Sequence, residues 1–169
     1  GAIGEGNGLR FGTKLITSEA VGDTTLAEIF ADTAFNASRV TFGTLIGPAN
    51  LVGTLEYEDV ANGYAIDVVY DYATYDFWHA STYFNSDNYF VGSVIGINDS
   101  NIARDFEARA YVCIDGVYYY SDYAATRSIA QVAYAFQQDA VSKGEGTTVY
   151  ETYIAYKEQV DAWAEKYVA

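Results

Sequence analysis

Phe106-Glu-Ala-Arg-Ala-Tyr-Val-Cys-Ile-Asp-Gly-Val-Tyr-Tyr-Tyr-Ser-Asp122 decides the fold class. Two alternating runs flank Asp115-Gly116, and such a pair predicts a two-residue hairpin of type I′, whose turn residues both need positive φ. The turn fixes the register. One face receives Ile114 with Val117, Val112 with Tyr119 and Ala110 with Ser121. The other receives Cys113 with Tyr118, Tyr111 with Tyr120 and Arg109 with Asp122, the last a cross-strand pair of opposite charge. The first face reads as the core side of a β-sandwich and the second as a tyrosine platform. Three adjacent phenols are a large apolar area to leave in water. Partial cover by another element, expected to be the C-terminal helices, would leave a hydroxyl edge open as one wall of a cleft.

Upstream, the pattern stays β. Leu9-Arg-Phe-Gly-Thr-Lys-Leu-Ile16 alternates, with Leu9, Phe11 and Leu15 on one face and Arg10 and Lys14 on the other. Thr24 to Ala31 reads as a short helix capped by Thr24 or Thr25. Arg39–Ile46 is a strand stopped by Gly47-Pro48, and Tyr64–Tyr70 and Tyr89–Ile97 are further strands. Downstream the period changes. Thr126 is placed as the cap of a helix with Ile129, Val132, Ala133, Phe136 and Ala140 on one stripe. After Lys143-Gly-Glu-Gly146 a second helix carries Val149, Tyr153, Tyr156, Val160, Trp163 and Tyr167, while Tyr134, Tyr150 and Ile154 fall off the stripes. The expectation is a mainly β single domain, 1–169: an antiparallel β-sandwich over 8–122 followed by a C-terminal cluster of two helices over 125–168, packed on it.

Between two of the strands lies Asp71-Tyr-Ala-Thr-Tyr-Asp-Phe-Trp-His-Ala-Ser-Thr-Tyr-Phe-Asn-Ser-Asp-Asn-Tyr-Phe90, a long connection crowded with rings and short polar side chains. Rings stack on the apolar faces of pyranoses, and carboxylates and amides take the hydroxyls. Trp78, Tyr75 and Tyr83 are the candidate stacking rings, with Asp76, Asn85 and Asp87 as hydroxyl partners. Tyr118 and Tyr120 of the platform join them as candidate ligand contacts. Rings in such a loop also serve to pin it to a core.

Composition narrows the partners. Of 169 residues half are apolar, with 17 Tyr and 9 Phe, enough for a sizeable core. The net charge of −14 repels a phosphate backbone and an anionic membrane surface, so neither nucleic acid nor membrane is an expected partner. A neutral polysaccharide is indifferent to that sign. No apolar run approaches the roughly 18 residues of a membrane span. Cys113 is the sole cysteine and His79 the sole histidine, so neither a disulfide nor a zinc site of several His or Cys ligands is expected. Cys113 reads as an inert, half-buried thiol. Gly4-Glu-Gly-Asn-Gly8 runs into a strand rather than a helix and is no phosphate loop. The twelve-residue calcium pattern is absent, and no cofactor is expected. The chain contains no Met and reads as a processed or excised fragment.

Gly8-Leu-Arg-Phe-Gly-Thr-Lys14, Phe42-Gly-Thr-Leu-Ile-Gly-Pro48, Ala108-Arg-Ala-Tyr-Val112 and Ala125-Thr-Arg-Ser-Ile129 occur in this order. The set resembles the β-sandwich modules of large secreted, cell-surface and dockerin-bearing proteins of gut ruminococci and related Firmicutes. It is similar in plan to the starch-adherence domains of their amylosomes, in which a sandwich precedes a helical cluster. The resemblance spans nearly the whole chain, but its motifs are framework and carry over no binding residue. It implies a non-catalytic, extracellular, cell-surface module that captures an α-1,4-glucan chain end between sandwich and helices, beside other modules of a larger secreted protein. A monomer is expected. The competing expectation is a structural or interaction module with no sugar ligand. A small hydrolase explains little of the sequence.

Overall fold

The computed structural model describes residues 7–14, 16, 18–25, 27–28, 40–69, 89–122, 124–142 and 151–168. The described strands are β1 (Asn7–Lys14), β2 (Ala20–Val21), β3 (Thr24–Thr25), β4 (Val40–Pro48), β5 (Ile66–Val69), β6 (Tyr89–Ile97), β7 (Phe106–Ile114), β8 (Val117–Tyr120) and β9 (Ala125–Arg127). The described helices are α1 (Glu58–Ala61), α2 (Ile129–Ser142), α3 (Glu151–Ala155) and α4 (Lys157–Tyr167), with a 3-10 turn at Asp99–Asn101. The protein is mainly β, with antiparallel sheets packed together and followed by C-terminal helices that contact each other.

The hairpin at the centre of the sequence forms as its turn dictates. Asp115 and Gly116 take φ of 49° and 84°, and Tyr111, Val112, Cys113 and Ile114 oppose Tyr120, Tyr119, Tyr118 and Val117. Ser121 N–H donates to the Ala110 carbonyl, which extends that register by one pair. β7 and β8 belong to a sheet in the order β5-β4-β7-β8, with β9 also pairing with β7. β4 lies between β5 and β7, so both its edges are paired, and its faces are covered by Tyr111 and Leu55 on one side and Phe90 on the other, leaving Phe42 to Gly47 all buried. A continuous apolar run is what such a strand requires. β1 pairs with β6 in a separate sheet. Leu9 and Phe11 are buried and Arg10 and Lys14 exposed, the alternation expected of a strand with one face inward.

Two compact units emerge: Arg10–Ser93 with Ala108–Ala125, and Gly1–Leu9 with Val94–Glu107 and Thr126–Ala169. In the first, Phe42 of β4 meets Phe90 of β6 edge-on, with ring centroids 6.3 Å apart. Thr44 fills the space a side chain on Gly92 would occupy. These contacts bring the faces of the two sheets together. The small antiparallel hairpin β2–β3 belongs to this unit as well.

In the second unit, Ile102, Ile129, Ala130, Ala133 and Val160 are buried, and Ala130 N–H donates to the Ile102 carbonyl. The cap of α2 is Ser128 rather than Thr126, which lies in β9. Ser128 Oγ accepts from Gln131 N–H at 3.0 Å, and Gln131 Oε1 accepts from Ser128 N–H, the reciprocal pair of a capping box. The inward side holds the expected Ile129 and Ala133, with Val132 half-buried, and widens to Ala130, Tyr134 and Gln137. Phe136 is turned out, 54 % exposed, and Tyr134 is turned in against Trp163 at 5.8 Å. The second helix comes in two pieces, α3 and α4, with Tyr156 at the break donating its hydroxyl to Asp99. Val160 and Trp163 keep their inward positions, while Tyr167 is exposed.

Thr24 and Thr25 form β3, yet Thr25 Oγ1 also accepts from Glu28 N–H, as a cap would, ahead of the helical Ala27 and Glu28. No described helix is long and apolar enough to cross a membrane.

Candidate functional site

The two faces of the β7–β8 hairpin have different surroundings. On the tyrosine side, Tyr111 crosses β4 and donates its hydroxyl to Asp67 of β5 at 2.7 Å. The crossing is open only because position 43 is glycine: a Cβ there would lie 2.5 and 2.6 Å from Tyr111 Cζ and Cε1. Burial pushes the Asp67 carboxyl up from the ordinary carboxylate range, and the Tyr111 hydroxyl pulls against that shift. Burial, then the bond to Asp67, raises the Tyr111 phenol.

The cover over this face is the β4–β5 connection, to which the sequence reasoning gave no role; it had placed the C-terminal helices there. Leu55 of the connection is buried with Leu45 and Tyr111. Tyr57 stacks on Tyr118 with centroids 4.2 Å apart, meets Tyr111 edge-on at 6.1 Å, and donates its backbone N–H to Tyr120 Oη. Burial, then a bond with Tyr57, raises the Tyr118 phenol. Arg109 places its guanidinium 4.4 Å from the Tyr120 ring centre and donates to the carbonyls of Ser121 and Leu55. Those donations tie hairpin to connection, in place of the expected pairing with Asp122. Tyr118 and Tyr120 are thus brought together, half-buried, with ring faces spent on protein neighbours. Cys113 is half-buried beside them.

The opposite face opens onto a cleft of about 530 Å³ within the sandwich unit. Phe11 of β1, Val21 of β2, Phe90 of β6, and Val112 and Tyr119 of the hairpin give it apolar walls. Thr13, Lys14, Glu19, Ser121 and Asp122 add polar groups, all exposed or half-exposed. The β2–β3 turn closes on Tyr119, where a Cβ on Gly22 would stand 2.7 Å from the phenol oxygen. Rings beside hydroxyls and carboxylates, in a volume of this size, suit a small ligand with both apolar and polar faces. Thr44 also lines the cleft. It carries one of two buried side-chain oxygens without a hydrogen-bond partner among the described residues; the other is Glu107 Oε1. Burial raises the Glu107 carboxyl.

Of the candidates named from sequence, Tyr75, Asp76, Trp78, Tyr83, Asn85 and Asp87 lie outside the described residues. The stretch that holds them leads into β6, whose Phe90 lines the cleft. Sequence reasoning missed Tyr119, Thr44 and Phe11 as site residues. The signal for Thr44 was a hydroxyl in the middle of an apolar run, Phe42 to Ile46. For Tyr119 it was a phenol paired with Val112 on the core face, where a hydroxyl needs an outlet. Among the described residues no group of three or more His, Cys, Asp or Glu is placed to hold a metal ion. Comparison with family models, curated proteins and solved structures finds no match for this chain.

Proposed function

We propose that this chain is a non-catalytic carbohydrate-binding module that takes a neutral glucan into the cleft beside Tyr119. The observation that carries the proposal is the cleft's lining, in which Phe11, Phe90 and Tyr119 alternate with Thr13, Ser121 and Asp122. The half-exposed Tyr119 offers its ring to a pyranose over a buried apolar floor of Phe11 and Phe90, and Thr13, Ser121 and Asp122 offer acceptors and donors to its hydroxyls. The ring-rich stretch 71–88 directly precedes β6 in the sequence, and this reading takes Trp78, Tyr75 and Tyr83 as stacking rings with Asp76, Asn85 and Asp87 as hydroxyl partners. The net charge of −14 favours an uncharged ligand. The resemblance of the framework motifs to starch-adherence domains favours an α-1,4 linkage and a place in a secreted, cell-surface assembly. Affinity lies on the order of 10 µM to 1 mM, because a wet, polar ligand gains little beyond stacking and aligned hydrogen bonds.

Affinity electrophoresis in gels of soluble starch, β-glucan and xylan tests the proposal. The native protein is expected to be retarded in starch, and Tyr119→Ala and Trp78→Ala to migrate freely while remaining folded. A second reading, a structural or interaction module without a sugar ligand, is favoured by the stacking of Tyr57 on Tyr118 and of Arg109 on Tyr120, which uses the platform's rings internally. Free migration of the native protein in all three gels would select it.

A further inference from the structure

We infer that Gly22 is a positioning residue of the cleft: the bare backbone of the β2–β3 turn sets the Tyr119 ring on which the sugar stacks; this rests on the glucan reading above. Tyr119 differs from the other tyrosines of the hairpin. Tyr111 donates its hydroxyl to Asp67, Tyr118 is stacked on Tyr57, and Tyr120 accepts from Tyr57 N–H and lies beside the Arg109 guanidinium. Among the described residues Tyr119 has neither a ring stack nor a hydrogen bond. Its oxygen is not one of the buried unpartnered ones, which are Thr44 Oγ1 and Glu107 Oε1, so water reaches it. What fixes the ring is the turn opposite. Its tip runs to the Gly22 backbone, where a Cβ would lie 2.7 Å from the phenol oxygen, 3.1 Å from Cζ and 3.4 Å from Cε1.

The turn is itself held in place, so it acts as a fixed stop. Ala20 and Val21 pair with Thr25 and Thr24, and Val21 is buried. Thr24 Oγ1 donates to the Glu28 carboxylate, Thr25 Oγ1 accepts from Glu28 N–H, and Glu19 N–H donates to the Ile16 carbonyl. Gly22 is first in the two-residue loop Gly22-Asp23 and has φ of 62°, which already disfavours most other residues. The phenol adds a second demand, which concerns the cleft rather than the turn. Glu19, Ala20 and Val21 line the cleft on one side and Tyr119 and Ser121 on the other. A ring held at one place by its neighbours loses little freedom when a ligand stacks on it, and a ring displaced from that place forfeits the stack.

The test compares Gly22→Ala, Tyr119→Phe and the double variant with the native protein, by retardation in starch gels and by thermal unfolding. Tyr119→Phe keeps the ring and is expected to bind within about twofold of the native protein. Gly22→Ala is expected to lower Tm, because alanine is strained at positive φ, and to weaken binding about three- to tenfold, the share of one ring stack. In the double variant the phenol oxygen is gone and Cζ remains at 3.1 Å, a contact that yields by a few tenths of an ångström. Binding should then return to within about twofold of Tyr119→Phe while Tm stays low, since the strain at Gly22 remains. A role in stability alone would keep binding and Tm moving together. Gly22→Asn brings the same Cβ with less strain at positive φ, and it carries the test if Gly22→Ala does not fold. Native-like binding by the Gly22 variants, or a loss that Tyr119→Phe does not relieve, overturns the inference and leaves the glucan reading intact. Free migration of the native protein overturns both.

Discussion

Tyr111 shows how one residue position constrains three strands. Its ring needs glycine at 43, and its hydroxyl needs Asp67 one strand further on. The pair also sets a pH dependence. The folded Asp67 carboxyl titrates above its ordinary value of 3.8, so it favours folding below that pH and the benefit is lost as pH rises through the folded pKa. Above it the half-buried carboxylate is a cost that the Tyr111 hydroxyl offsets. Tyr111→Phe should therefore destabilise by about 1.5–3 kcal/mol at pH 7, where the bond is to a charged group, and by about 0.5–1.5 kcal/mol near pH 3.5. Urea denaturation at the two pH values checks this; an equal loss at both would show that Asp67 is not the partner that matters. The glycine was visible in Phe42-Gly-Thr-Leu-Ile46, but its cause was not, because the ring that crosses it lies 68 positions later in the chain.

At the level of elements, the hairpin was legible because everything that determines it is local. Asp115-Gly116 fixes the turn, and the turn fixes which residues oppose one another. The β4–β5 connection was illegible for the opposite reason. Leu51 to Gly63 has no sustained period, and its role comes from long-range partners: Leu55 under Tyr111, Tyr57 on Tyr118, and the Arg109 guanidinium on the Leu55 carbonyl. Leu55 is 1 % exposed, so Leu55→Ala should cost about 2–5 kcal/mol, read as a fall in the urea midpoint. A loss below about 1 kcal/mol would show that the connection does not seal the tyrosine face. In the helical part, the cap lies two residues beyond the expected one, and the stripe keeps Ile129 and Ala133 inward but loses Phe136. Ser128 takes the role expected of Thr126, and Phe136 and Tyr134 exchange inside for outside. Helical patterns with many aromatics tolerate either phase by eye, and the cap decides between them.

Taken as a whole molecule, the sequence announced a sandwich followed by helices, and the sheets and helices follow that plan. The site was only half legible. Tyr118 and Tyr120 were correctly grouped on one face; that face is the covered one, although Tyr120 also borders the open cleft, whose other hairpin lining, Val112 and Tyr119, comes from the face assigned to core. A sheet with alternating side chains shows which residues share a face, not which face another element will seal. The central claim is that a neutral glucan occupies the cleft beside Tyr119. Titrating isotopically labelled protein with maltoheptaose and following backbone amide NMR shifts tests it most directly. The account predicts saturable shifts at Thr13, Thr44, Tyr119 and Ser121, with Tyr57 and Leu55 on the opposite face unmoved. Shifts confined to Tyr57, Leu55 and the tyrosine face, or no shifts at millimolar sugar, would contradict it.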